Sequence, residues 1–144
     1  MKEIQMKVLA ILDRLAWVPL LVARITIGMV FVPTGWGKLH DLPKVVEFFQ
    51  SLGIPYPQLQ APFVASVELG CGLLVLLGLF TRVAAVPLIG TMVVAIMTAQ
   101  WKDLTSWTGL FGLSEFLYIV LLMTLIHHGA GLVSLDRVFF KRPR

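Results

Sequence analysis

The sequence predicts an all-α integral membrane protein, a four-helix bundle with an interfacial helix between the first and second crossings, in one domain spanning residues 1–144. Three observations carry that expectation. Of the 144 residues 58% are hydrophobic and only 14% charged, with a mean hydropathy of +0.87, which is more apolar surface than a soluble domain of this size can bury. The apolar residues gather in runs of about 17 to 20, long enough at ~1.5 Å per residue to cross hydrocarbon, where a buried core helix needs only about 10 to 14. Aromatic rings mark the ends of those runs: Trp36, Tyr56, Trp101 and Trp107 at one boundary and Trp17 at the other.

Taken in order, the N-terminal segment places Ile4, Val8, Ile11, Leu12 and Leu15 on one helical face, the pattern of a helix lying along a membrane surface. Asp13 and Arg14 interrupt it and no small-residue cleavage site follows, so it reads as retained. The crossings are expected at about 17–36, 62–80, 83–99 and 110–126. Only Thr81 and Arg82 separate the second from the third, which makes those two helices antiparallel neighbours. Between the first two crossings Asp41 is placed to cap a helix starting near Pro43, with Val45, Phe48, Phe49 and Leu52 in an i, i+3, i+4, i+7 stripe. Gly53, Pro55 and Pro57 end it.

With four crossings both ends and the Thr81-Arg82 turn share one side, which carries eight Lys and Arg. The other side carries three, Lys38, Lys44 and Lys102. The positive-inside rule then puts both ends in the cytoplasm. That same distribution explains the net charge of +4 without nucleic acid, since no basic aromatic face is present to grip phosphates.

Three ionisable residues fall inside crossings, Arg24, Glu68 and Glu115, and each costs a few kcal/mol there unless paired or solvated. Arg24, Gly28, Phe31, Gly35 and Lys38 share one stripe of the first crossing, and its glycines invite close approach by a neighbour. Ala61, Ala65, Glu68 and Gly72 form a matching stripe on the second. Tyr118 lies three residues after Glu115, so the two share a face and can line a polar pocket. Counting inward, Glu68 and Glu115 sit roughly 8 to 10 Å deep and Arg24 about 10 Å deeper. Arg24 and Lys38 are both candidate partners for Glu68, and the Arg24–Glu68 pair is the favoured expectation.

Other chemistries find less support. His40 lies outside the crossings and His127 and His128 at the inner end, so no two histidines face each other at matched depth for a haem, and no carboxylate is spaced to complete a metal site with them. Cys71, the single cysteine, cannot form a disulfide within the chain and reads as a packing residue. No Gly-rich phosphate loop opens a helix, and no serine has an identifiable base and acid.

The stripe of Arg24, Gly28, Phe31, Gly35 and Lys38, then Glu68, Gly72, Gly78 and Arg82, then Gly129, Gly131, Ser134, Leu135 and Asp136, resembles the DoxX family from about Leu20 to Phe140. That resemblance implies a bacterial inner-membrane four-helix protein related to subunits of thiosulfate:quinone oxidoreductase and to proteins of quinone, thiol and oxidative-stress metabolism. Since the sequence shows no flavin motif or haem ligands, it implies that electrons pass through a bound quinone or a partner. The expected ligand site is an apolar space between helices near Glu68, Glu115, Arg24, Tyr118, Trp101 and Lys38, whose polar groups would hydrogen-bond quinone oxygens. The competing expectation is a scaffold that docks soluble redox enzymes on the basic tail from Arg137 to Arg144. A transporter is less favoured, for want of internal repeats. Four short helices also carry more small residues than one interior can use, so a homo-oligomer is among the expected arrangements.

Overall fold

The computed structural model describes residues 2–101, 104 and 106–139, and these form helices with no strand among them. The helices are α1 (Lys2–Leu15), α2 (Trp17–His40), α3 (Leu42–Ser51), α4 (Pro57–Leu77), α5 (Thr81–Ala95), α6 (Trp107–Gly112), α7 (Ser114–His128) and α8 (Leu135–Phe139), with a π-helical turn, Ile96–Gln100, continuing α5. Lys102 and the segment 140–144, which enter the charge count and the basic tail, lie outside the described residues.

α2 packs on α4, α4 on α5, α5 on α7 and α7 back on α2, so the four long helices close a ring in chain order. At ~1.5 Å per residue the 24 residues of α2 and the 21 of α4 measure about 36 and 32 Å, enough to span hydrocarbon. α5 reaches 20 residues only with its π turn. The fourth helix begins later than expected: Leu113 is extended (φ −71°, ψ 135°), so α6 stops at Gly112 and α7 keeps 15 residues, about 22 Å. The second crossing likewise runs 57–77 rather than 62–80, and the turn into α5 is Gly78–Phe80, with Thr81 and Arg82 already helical.

Most of each of the three longer spans is not buried, and Val22, Met29, Phe63, Leu73, Val83, Val86, Met97 and Met123 lie exposed on the outside of the ring. Such a surface is stable only against lipid. Within the ring, Ile27, Phe31, Val75, Leu88, Leu122 and Leu125 are fully buried, with Cys71 packed at the edge of this core. Because lipid is as apolar as leucine, contact between helices rests on close packing more than on exclusion of water.

The tightest contact is between α2 and α4, and the glycines make it. A Cβ at Gly35 would lie 2.4 Å from the amide nitrogen of Leu69 and 2.8 Å from the carbonyl oxygen of Ala65; one at Gly28 would lie 2.5 Å from the Leu76 Cβ, and one at Gly72 would lie 2.9 Å from the Phe31 Cβ. The small-residue stripes expected on the two crossings therefore face each other, and they fix an antiparallel register in which Gly28 meets Leu76, Phe31 meets Gly72 and Gly35 meets Ala65 and Leu69.

α3 lies on the start of α4, where Phe49, Ile54 and Ala61 form a second small core with Leu42, Val45, Leu52 and Val64. The expected stripe is the packed face, although Phe48 is half exposed. Asp41 stands at the start of α3, but its carboxylate does not cap the helix; it accepts a hydrogen bond from Lys44. α1 passes into α2 through Ala16, itself in helical conformation (φ −57°, ψ −20°), and it exposes Ile4, Val8, Leu12 and Leu15.

Candidate functional site

Lys38 and Glu68 form the one ion pair between helices among the described residues, with Lys38 Nζ 2.7 Å from Glu68 Oε1. The register explains it. Gly35 sits against Ala65 and Leu69, so Lys38, about one turn farther along α2, has a stem long enough to reach back to Glu68. Arg24 lies eleven residues before Gly35, about 16 Å toward the other end of the bundle. The favoured Arg24–Glu68 pair is therefore replaced by Lys38–Glu68.

Arg24 does different work. Its Nε donates to the Val75 carbonyl at 3.0 Å, Nη2 to Leu76 at 2.8 Å, and Nη1 to Ala130 at 3.0 Å and to Val133. One buried guanidinium thus joins α2 to the last turn of α4 and to the segment after α7. Asp136 closes the same end of the bundle. Its backbone amide donates to the Gly78 carbonyl at 2.8 Å, and its carboxylate accepts from the amides of Phe80, at 2.7 Å, and Thr81, at 3.3 Å, which begin α5. Gly78, Gly129 and Gly131 all have φ between +70° and +80°, and a Cβ on Gly78 would fall 2.4 Å from Arg24 Nη2. Arg82 adds a hydrogen bond to the His127 carbonyl at 3.1 Å. The Gly78, Arg82 and Gly129–Asp136 residues behind the sequence resemblance are, together with Arg24, a single fastening.

The ion pair borders a cavity of about 410 Å³ between α4 and α5 and beneath α3. α4 contributes Gln60, Phe63, Val64, Val67 and Glu68, α3 contributes Phe48 and Phe49, and α5 contributes Pro87, Gly90, Thr91 and Val94. The π turn continues the wall with Thr98 and Ala99. Such turns arise where a helix takes in an extra residue, often beside functional sites. Phe63, Phe48 and Val94 line the cavity and are also exposed on the outside of the ring, so it opens sideways, toward lipid. A side chain on Gly90 would meet no atom within 4 Å, which leaves this wall open.

Glu68 is 2% exposed, and its second oxygen, Oε2, has no hydrogen-bond partner. A buried carboxylate oxygen without a donor is costly, more so in an apolar wall.

Of the residues singled out from sequence, Lys38 and Glu68 meet at this cavity. Arg24 is at the far end. Glu115 accepts from Gln100 at 3.4 Å and from Ser114 at 3.1 Å, and Tyr118 packs edge-on against Phe31 with ring centroids 5.9 Å apart. Trp101 lines a separate shallow cleft with Leu104, Ser106, Trp107 and Leu110. Missed in the sequence were the α5 wall and Phe48, Phe63 and Gln60. Gly90 and Pro87 inside an apolar run were the one available signal.

These features define a small polytopic membrane protein whose polar centre is a Lys–Glu pair on a lipid-facing cavity. The chain belongs to the DoxX family, whose model matches residues 19–101. It is 34% identical over 124 residues to a Bacillus subtilis protein named "Putative oxidoreductase CatD", covering 84% of this chain and 87% of that one. It is 35% identical to the membrane protein Rv3486 of Mycobacterium tuberculosis, over 83% of this chain and 80% of the relative. With the inner membrane protein YphA of Escherichia coli it shares 30% identity, over 82% and 88%. No solved structure matches the chain.

Proposed function

We propose that this protein is a quinone-binding subunit of a redox system in the bacterial inner membrane, with both ends in the cytoplasm. The observation that carries the reading is the Lys38–Glu68 pair on the wall of a largely apolar cavity that opens to lipid. The volume falls in the range of small-molecule sites, apolar walls suit a substituted ring, and a few fixed polar groups orient it. A quinone supplies the electron chemistry when bound. The chain's own residues hold the ring: Lys38 Nζ donates to a ring oxygen, and Phe48, Phe49 and Phe63 flank its faces. A lateral opening lets the isoprenoid tail remain among lipid chains. The name of the Bacillus relative points to redox chemistry and that of the Escherichia relative to the inner membrane. The excess of Lys and Arg at the end bearing Arg82 and Arg137 supports the orientation, which reporter fusions to either end test.

Mass spectrometry of organic extracts from protein purified in mild detergent tests the binding. Near-stoichiometric quinone is expected with the wild type, and much less with Gly90→Leu, which fills the open wall. Quinone no more abundant than in bulk lipid would sink the proposal and favour a scaffold that docks soluble redox enzymes on the basic tail.

A further inference from the structure

We infer that α1 is a lipid-docking arm, which folds outward at Ala16 and lies on an anionic membrane surface at the Arg24 end of the bundle. Nothing in the fold covers α1: every described side chain from Glu3 to Leu15 is exposed. With α2 it makes one helical run, Glu3–His40, so the two helices share a register. Val8, Leu15, Val22 and Met29 follow one another every seven residues, about two helical turns, and all four are exposed. Val22 and Met29 belong to the outer face of the ring, against lipid. The apolar face of α1, where Ile4 and Leu12 lie beside Val8 and Leu15, therefore continues a surface that hydrocarbon already covers.

The charges fit the same partner. Lys7 and Arg14, also seven apart, run along one edge of the stripe, with Glu3 and Asp13 farther round the helix. When the stripe faces the acyl chains, those two cations lie at the level of the phosphates. Arg82 and Arg137, exposed at the same end of the bundle, add to the positive potential that an anionic leaflet meets. A second copy of the chain fits less well. The stripe is built of Ile, Val, Leu and Met, where contact between helices in a membrane favours small residues, and the opposite edge presents Gln5 but no acid to Lys7 or Arg14. The junction allows the bend: Pro19 has no N–H for the Leu15 carbonyl, and Trp17 sets the turn at headgroup level. Folding away from the ring turns the outward stripe toward hydrocarbon, whereas folding beneath the ring would turn it to water.

The test uses full-length protein carrying a fluorescent amino acid at Leu12 or at Ala10, two positions on nearly opposite sides of α1. Each protein is placed in nanodiscs of phosphatidylglycerol mixed with phosphatidylcholine, and depth is read from quenching by nitroxides fixed at different levels of the lipid. The probe at Leu12 is expected about 10 Å deeper than the probe at Ala10, the width of a helix. Equal depths, or both probes open to a water-soluble quencher, overturn the inference. So does a Leu12 probe shielded from the soluble quencher yet untouched by lipid nitroxides, which means that protein covers the stripe. The difference in depth should shrink in phosphatidylcholine alone and in Lys7→Gln/Arg14→Gln protein; a difference unchanged by both overturns the anionic partner.

Discussion

Replacing Arg24 with methionine keeps a long apolar stem in place and removes every donor of the guanidinium. Four carbonyls, those of Val75, Leu76, Ala130 and Val133, lose a hydrogen bond from a cation. At about 1.5 kcal/mol net for each charge-assisted bond the gross loss is about 6 kcal/mol. Part is returned, because methionine does not pay the several kcal/mol of keeping a cation out of water, a cost that Asp136 already lightens by its opposite charge. The expected net destabilisation is about 3 kcal/mol. Arg24→Lys should recover little of it, since one ammonium cannot reach carbonyls on two separate segments. Denaturant unfolding in mixed micelles, followed by tryptophan fluorescence, measures both variants against the wild type. The same samples should show earlier proteolysis after α7, where Ala130 and Val133 are released. An Arg24→Met protein as stable as the wild type would refute the fastening and leave the guanidinium a surface-seeking charge.

Two further outcomes follow from the packing and the surface. Gly35→Val places a side chain 2.4 Å from the backbone of α4, which cannot yield as a flexible side chain would; α2 and α4 must separate, and a loss of folded protein in detergent, seen by size-exclusion chromatography, is expected where Gly37→Val, with open space around it, has little effect. The hydrogen bond from Lys44 to Asp41 holds the Lys44 ammonium above the ordinary lysine range. Because that value is raised in the folded protein, the contribution of the pair is complete below the ordinary lysine pKa and is lost as pH climbs through the raised one. NMR of the lysine side chains should show Lys44 titrating late, and Asp41→Asn should return it to the ordinary range.

The crossings were legible because hydrocarbon thickness writes itself into a sequence as the length of an apolar run. Which face of α2 meets α4 was legible too, since Gly28, Gly35 and Gly72 recur at helical spacing and only close approach requires them. The stagger between helices was not. Residue counts give depth only from an assumed boundary, and α2 runs to His40 rather than ending at Trp36, so Lys38 was counted outside a helix that in fact carries it to Glu68. The cavity was hidden for a related reason. Its α5 wall runs on into a π turn at Thr98 and Ala99, and a 3.6-residue period cannot register the change of face there. Glu115 and Tyr118 do share a helix at i, i+3, but their neighbours, Gln100 and Phe31, come from two other helices.

The fastening around Arg24 has a consequence for how the chain is made. Residues emerge from the ribosome in order, so Arg24 enters the bilayer region before any of its four acceptors exists. Val75 and Leu76 follow when the second crossing is complete, and Ala130 and Val133 come nearly last. Until then the cation is best accommodated near the headgroups. The first helix should therefore settle to its final depth only when the fourth has been inserted, and a nascent chain stalled before Ala130 should leave that arginine still within reach of water-soluble reagents.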